Sequence, residues 1–130
     1  MSLERVNPGS LTKPRGFSHA VVAEGRMVFL AGQTGLDVDG HVVAGGVVAQ
    51  FEQALSNLLT ALEEAGGRPD QLTSMTIYIV DMVGYREHAT EIGRVWRNLV
   101  GSEYPAMAGI GVARLWDDDA LVEVQGFAVL

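Results

Sequence analysis

Residues 48–80 read VAQFEQALSNLLTALEEAGGRPDQLTSMTIYIV, and this stretch decides the fold. Val48, Phe51, Leu55, Leu58, Leu62 and Ala65 recur at spacings of three and four, which gathers them on one face of a helix. Gly66-Gly67 ends that helix in the manner of left-handed C-caps, and Pro69-Asp70 turns the chain. Thr73 to Val80 is then apolar on both faces and rich in β-branched residues, the pattern of a central strand.

Working towards the C-terminus, a second helix is expected after Asp81, over roughly Val83 to Val100. Its stripe is Tyr85, Ala89, Ile92, Val95 or Trp96, and Leu99, and Gly101 ends it. Tyr104-Pro105 opens the last third. Ala108 to Ala113 reads as a Gly-rich strand, Asp117-Asp118-Asp119 as a solvated turn, and Leu121 to Val129 as a long final strand. Towards the N-terminus, residues 1–13 read as an irregular arm. Phe17 to Val22 and Met27 to Ala31 read as a hairpin across Ala23–Arg26. Gly32–Gly35 breaks the second strand, Asp39-Gly40 signals a turn, and His41 to Ala44 is a short candidate strand.

The order is ββ(β)αβαββ. It predicts a single α+β domain over 14–130, with a five- to six-stranded mixed sheet. Right-handed crossovers put both helices on one face. Along the final strand, Val122, Val124, Gly126, Ala128 and Leu130 share one side, and Leu121, Phe127 and Val129 share the other. The face without helices is therefore also apolar. Left open it is a patch on the order of several hundred Å², which monomers rarely tolerate. Self-association with closed symmetry is expected.

Composition narrows the function. The chain has 130 residues, 48% of them hydrophobic and 19% charged, enough to fill one core. Its net charge is -7, and the eight arginines and Lys13 are scattered, so nucleic acid is disfavoured as a partner. The absence of cysteine excludes disulfides, thiolate metal sites and a cysteine nucleophile. No apolar run approaches the ~20 residues that span a bilayer, and the start carries no signal-peptide pattern, so a cytoplasmic location and no membrane partner are expected.

Most chemical motifs dissolve on inspection. His19, His41 and His88 have no metal-ligand spacing, so no metal is expected. Gly109-Ile110-Gly111 begins like a phosphate loop, but Arg114 stands where a third glycine belongs and no helix follows. Its small residues instead permit close approach of a ligand or another chain to the backbone. Ser18 and His19, as neighbours in a strand, point to opposite faces and make no triad. Glu123 is different. It interrupts an apolar strand, with Gln125 on its face. Such a carboxylate is either solvated at an edge or desolvated in a cleft, and in the second case its pKa rises and it can act as acid or base.

Several segments together resemble one family. Pro14-Arg15-Gly16-Phe17-Ser18-His19-Ala20 is similar to its opening. Phe29-Leu30-Ala31-Gly32-Gln33 is similar to its Ser-Gly-Gln strand. Leu62-Glu63-Glu64-Ala65-Gly66 is similar to the end of its first helix, and Thr76–Met82 to its central strand. Tyr104-Pro105-Ala106, Val112-Ala113-Arg114-Leu115 and Val122-Glu123-Val124 are similar to its last third. This is the reactive intermediate deaminase A family (RidA, or YjgF), and the resemblance runs from about Pro14 to Leu130. It implies a chorismate-mutase-like fold, a homotrimer with small-molecule clefts between subunits, and hydrolysis of 2-imino acids to 2-keto acids and ammonia without a cofactor. It further implies that Glu123 activates water, and that Phe17, Ala31, Gly32, Tyr85, Met107 and Gly109 line the substrate site.

One departure is central. Where the family carries an arginine that pairs with the substrate carboxylate, this chain has Met107; Phe17, Ala89 and Gly109 also replace polar family residues. A bidentate arginine–carboxylate contact contributes roughly 1.5–3 kcal/mol, which methionine's soft apolar contact does not supply. Arg15, beside the opening motif, and Arg114 are the candidates to supply that charge instead, and Arg15 is counted with the substrate-binding residues. Two readings follow. One is a hydrolase of an imine, an enamine or a related carbonyl compound with an altered substrate. The other is a non-catalytic module of the same fold that binds a small metabolite or a protein. A ribonuclease or translation-inhibitor role, attached to some family members, is opposed by the acidic balance.

Overall fold

The computed structural model describes residues 2–130. Its strands are β1 (Ser2–Val6), β2 (Ala20–Glu24), β3 (Met27–Thr34), β4 (Leu72–Ile79), β5 (Ala106–Gly111) and β6 (Val122–Val129). Its helices are α1 (Gly46–Glu64), α2 (Met82–Glu87) and α3 (Ala89–Leu99), with a 3-10 turn at Pro69–Gln71. Four strands form a mixed sheet in the order β3-β6-β4-β5, in which only β4 and β5 run parallel. The other two form an antiparallel ribbon, β1-β2. The α+β class holds. The six strands are divided four and two, with the ribbon joined to the main sheet by a parallel bridge between Ser18 and Ala106.

The core lies between the sheet and the helices. Phe51, Leu55, Leu58 and Leu62 of α1, and Ile92, Val95 and Trp96 of α3, are buried in one cluster with Met75, Ile77, Ile79, Val122 and Val124. Both helical segments thus cover the same face, as the crossovers require. β4 and β6 are the inner strands, and β3 and β5 the edges.

Five local expectations give way. The N-terminal arm is not irregular: its first part is β1, paired with β2 from Ser2↔Glu24 to Val6↔Ala20. The expected hairpin does not form, because β3 pairs with β6 instead of β2. The eight-residue apolar β6 offers more to bury than the five-residue β2. The chain passes from ribbon to sheet at Gly25, whose φ of 146° suits glycine, and Arg26 and Leu130 exchange two backbone hydrogen bonds of 2.8 Å there. Gly32-Gln33 does not end β3; the strand continues to Thr34 through a bulge between Leu30 and Gln33. The segment His41–Ala44 contributes only a bridge between Leu36 and Val42. The second helix breaks at His88, where φ and ψ are −102° and 16° and ring Nδ1 lies 2.8 Å from Gly84 O.

The sheet's second face has no helix over it. Phe29 is 70% exposed and Met27 59% exposed there. Phe127 packs edge-on to Phe29 at 5.4 Å between ring centroids. Tyr78 on the same face donates its hydroxyl to Gln125 Oε1 at 3.2 Å. No helix is long and apolar enough to cross a membrane among the described residues.

Candidate functional site

The residues singled out by sequence fall into two groups, one on each face of the sheet. The first group gathers at the β5 edge, on the helical side. Met107 and Gly109 sit opposite Met75 and Ile77 in the parallel ladder, and Met107 packs on the core. The segment before β2 is pinned beside them: Ser18 donates its backbone N–H to Pro105 O at 2.9 Å and its hydroxyl to Tyr104 O at 2.7 Å. Gly16, at φ 75°, makes the turn that carries Arg15 and Phe17 to this edge. Asp81 caps α2 by accepting the Gly84 N–H at 3.0 Å, which fixes the turn bearing Tyr85.

Two hollows open here. One, of about 370 Å³, runs from Arg15 and Gly16 past Met107 and Tyr85 to Ile92 and Trp96. The other, of about 220 Å³, is bounded by Arg15, Phe17, Tyr85, Met107 and Gly109. Arg15 is the cation of both, and among the described residues no carboxylate lies within 4 Å of it. Arg114 is exposed and lines neither. Burial pushes the Tyr85 phenol up to about 12, so it remains a neutral hydrogen-bond donor at physiological pH.

The second group is on the open face. Glu123 alternates with the fully buried Val122 and Val124, so its side chain projects away from the core. It stands opposite Thr34 of β3 and Tyr78 of β4. The β3 bulge brings Gly32 under it: a Cβ at that position would collide with Glu123 Oε2. Bulges frequently re-aim groups beside active sites. Desolvation first, and then repulsion from Asp117, raise the Glu123 carboxyl above its ordinary range. Ala31 adjoins Gly32 on the same exposed edge.

The 117–119 turn is more than a solvated run. Asp117 Oδ2 accepts a 2.7 Å hydrogen bond from Thr34 Oγ1. The buried Gln50 clamps the loop by donating to Asp119 O at 3.2 Å and accepting the Leu121 N–H at 2.8 Å. Asp117, Thr34 and the walls Trp96 and Tyr104 were not among the sequence-derived candidates. The Thr34–Asp117 contact spans 83 residues, so no local pattern announces it. Two of the three histidines have structural partners for their rings: His19 Nε2 lies 2.7 Å from Thr12 O, and His88 serves the helix break. Among the described residues no cluster of metal-ligating side chains occurs.

Chemically, one group offers a cation, a phenol donor and an apolar hollow. The other offers a carboxylate poised to take a proton. Within one chain the sheet separates them.

Comparison with known proteins gives these parts a context. Residues 10–130 match the family described as Endoribonuclease L-PSP. A 2-iminobutanoate/2-iminopropanoate deaminase of Capra hircus is 31% identical over 114 residues, 87% of this chain and 79% of that protein. A RutC family protein of Drosophila melanogaster is 32% identical over 114 residues, 87% and 78% of the respective chains. Among solved structures, a protein of the conserved Rid family from Yersinia pestis superposes with a TM-score of 0.89 at 30% identity, covering 100% of both chains. E. coli TdcF with bound serine superposes with a TM-score of 0.72 at 26% identity, covering 95% of this chain and 93% of that one. Sequence and fold agree over nearly the whole length, and the chain belongs to the RidA/YjgF family, the one described as Endoribonuclease L-PSP.

Proposed function

We propose that this protein hydrolyses imines, with the site completed between copies of the chain in a homotrimer. The observation that carries the reading is Glu123: a carboxyl raised by desolvation, seated over a bulge glycine, on a helix-free face that also carries the exposed Met27 and Phe29. A second copy laid against that face covers the apolar residues and brings its own Arg15–Met107 edge to Glu123. Covering such a face is favourable by roughly 25 cal/mol per Å² of apolar surface. The relatives named as iminobutanoate/iminopropanoate deaminases support the chemistry. The neighbour with bound serine supports a small ligand carrying a carboxylate.

In the reaction, Glu123 takes a proton from water as the water oxygen bonds to the imine carbon. The tetrahedral carbon then loses nitrogen: the C–N bond breaks, the protons pass to nitrogen, and a carbonyl and ammonia result. Glu123 returns the proton it took, acting first as base and then as acid. The Tyr85 hydroxyl and backbone N–H groups of the exposed β5 edge are placed to hold the substrate's polar atoms.

The test uses imines generated in situ by an amino-acid oxidase, with interception by semicarbazide as the readout. Wild type accelerates imine loss above background, and Glu123→Ala returns the rate to background. Equal rates for the two proteins refute the reading. Met107 at the family's cationic position favours a second one, binding without turnover. That reading predicts a rise in melting temperature with amino or keto acids and no imine loss.

A further inference from the structure

We infer that the substrate is a 2-imino acid with a bulky apolar side chain, its carboxylate held by Arg15 and its side chain seated in the hollow behind Met107. The inference rests on the imine-hydrolase reading and names the substrate class of that site. Three observations carry it.

The first is size. A cavity of about 150 Å³ takes up benzene, and this hollow is about 370 Å³. It holds an aromatic or branched side chain together with the imino-acid head, whereas a methyl or ethyl group leaves most of it empty.

The second is the chemistry of its floor. Phe51, Ile92 and Trp96 are 1%, 6% and 2% exposed, so these walls are fixed by the core rather than mobile. The one polar atom of Trp96 is already used, since Nε1 donates to Glu103 O at 3.1 Å. Tyr104 stacks on Trp96 at 5.1 Å, nearly parallel. A polar side chain packed against Phe51, Ile92 and the ring of Trp96 loses its water without finding a partner on those walls. The space is extended by Ala89 and Gly93 of α3. A Cβ built on Gly93 meets nothing nearer than Arg97 Nη1 at 3.7 Å, so position 93 has room that its own residue leaves unfilled.

The third is charge. Arg15 lines the mouth of this hollow and of its smaller neighbour, with no ion pair of its own among the described residues. A guanidinium free of a protein carboxylate and set beside an apolar cavity fits an amphipathic anion, carboxylate at the mouth and hydrocarbon inside. It supplies from the opening loop the charge that Met107 does not.

The experiment compares imines generated in situ from phenylalanine, leucine and alanine. For wild type, kcat/KM for the phenylalanine- and leucine-derived imines exceeds that for the alanine-derived imine by about tenfold or more, the usual reach of a filled apolar pocket. Gly93→Leu moves that ratio at least about tenfold towards the alanine-derived imine. Arg15→Ala raises KM for all three about tenfold without changing their order, and Arg15→Lys recovers part of the loss. If wild type turns over the alanine-derived imine as well as or better than the bulky ones, this inference fails while imine hydrolysis stands. If none of the three is hydrolysed above the Glu123→Ala background, imine hydrolysis fails and this inference falls with it.

Discussion

Asp117 shapes what Glu123 can do. Its carboxylate is held by the Thr34 hydroxyl on the strand that also bears Gly32, and its charge adds to desolvation in raising the Glu123 carboxyl. A base must be ionised to work, so kcat/KM for imine hydrolysis rises with pH through the raised Glu123 value. Asp117→Asn keeps a group that can accept the Thr34 bond and removes the charge. The rise then moves to lower pH in a pH–rate profile, and an unmoved midpoint refutes the influence of Asp117. The same raised value has a stability consequence. The folded carboxyl holds its proton more tightly than the unfolded one, so ionisation favours unfolding. That destabilisation is absent below the ordinary carboxylate range and grows as pH rises through the raised value. Glu123→Gln therefore increases the melting temperature near neutral pH and leaves it unchanged in acid, as thermal denaturation at two pH values will register. The position of Glu123 within an apolar strand was legible in the sequence; the Asp117 beside it was not, since the two meet only because the loop is clamped by a glutamine some seventy residues earlier, Gln50.

At the scale of elements, the helices were easy to read and the strand partners were not. The 3.6-residue rhythm of α1 is written in contiguous residues. Strand pairing is a competition between distant segments, and β6 displaced β2 from β3 because it buries more apolar surface. Gly32 looks like a break in the sequence for a related reason: glycine marks an interruption of the ladder, but not whether pairing resumes. The break at His88 depends on a ring nitrogen reaching a carbonyl one turn back, which periodicity does not encode. These details matter because short elements aim the site. α2 is six residues long and begins at the Asp81 cap; Gly84 leaves room for the capping carboxylate, which a Cβ would push aside. Asp81→Ala removes the cap and costs about 1 kcal/mol, measurable by urea denaturation. Because α2 carries Tyr85, the same substitution loosens one wall of both hollows and raises KM more than it lowers kcat. A stability loss with unchanged KM means that Tyr85 is positioned by its packing against Phe51 instead.

At the scale of the whole molecule, the sheet is the obstacle that gives the proposed assembly its meaning. Arg15, Tyr85, Met107 and Gly109 gather on the helical side, and Glu123 stands over Gly32 on the other. If copies of the chain complete each other's clefts, two variants damaged in different halves repair each other. Gly109→Phe fills the smaller hollow, where position 109 is exposed and a Cβ meets only Ile79 Cδ1 at 3.6 Å. Glu123→Ala removes the base and leaves that hollow intact. Each variant alone is inactive. Unfolded together at equal concentrations and refolded, they form mixed rings in which about a quarter of the clefts combine two undamaged halves, given random assembly with cyclic symmetry. Activity therefore returns to about a quarter of the wild-type value, and light scattering gives three times the mass of one chain. A site contained in a single chain yields no recovery at any mixing ratio, because every chain then carries one defect in its only site.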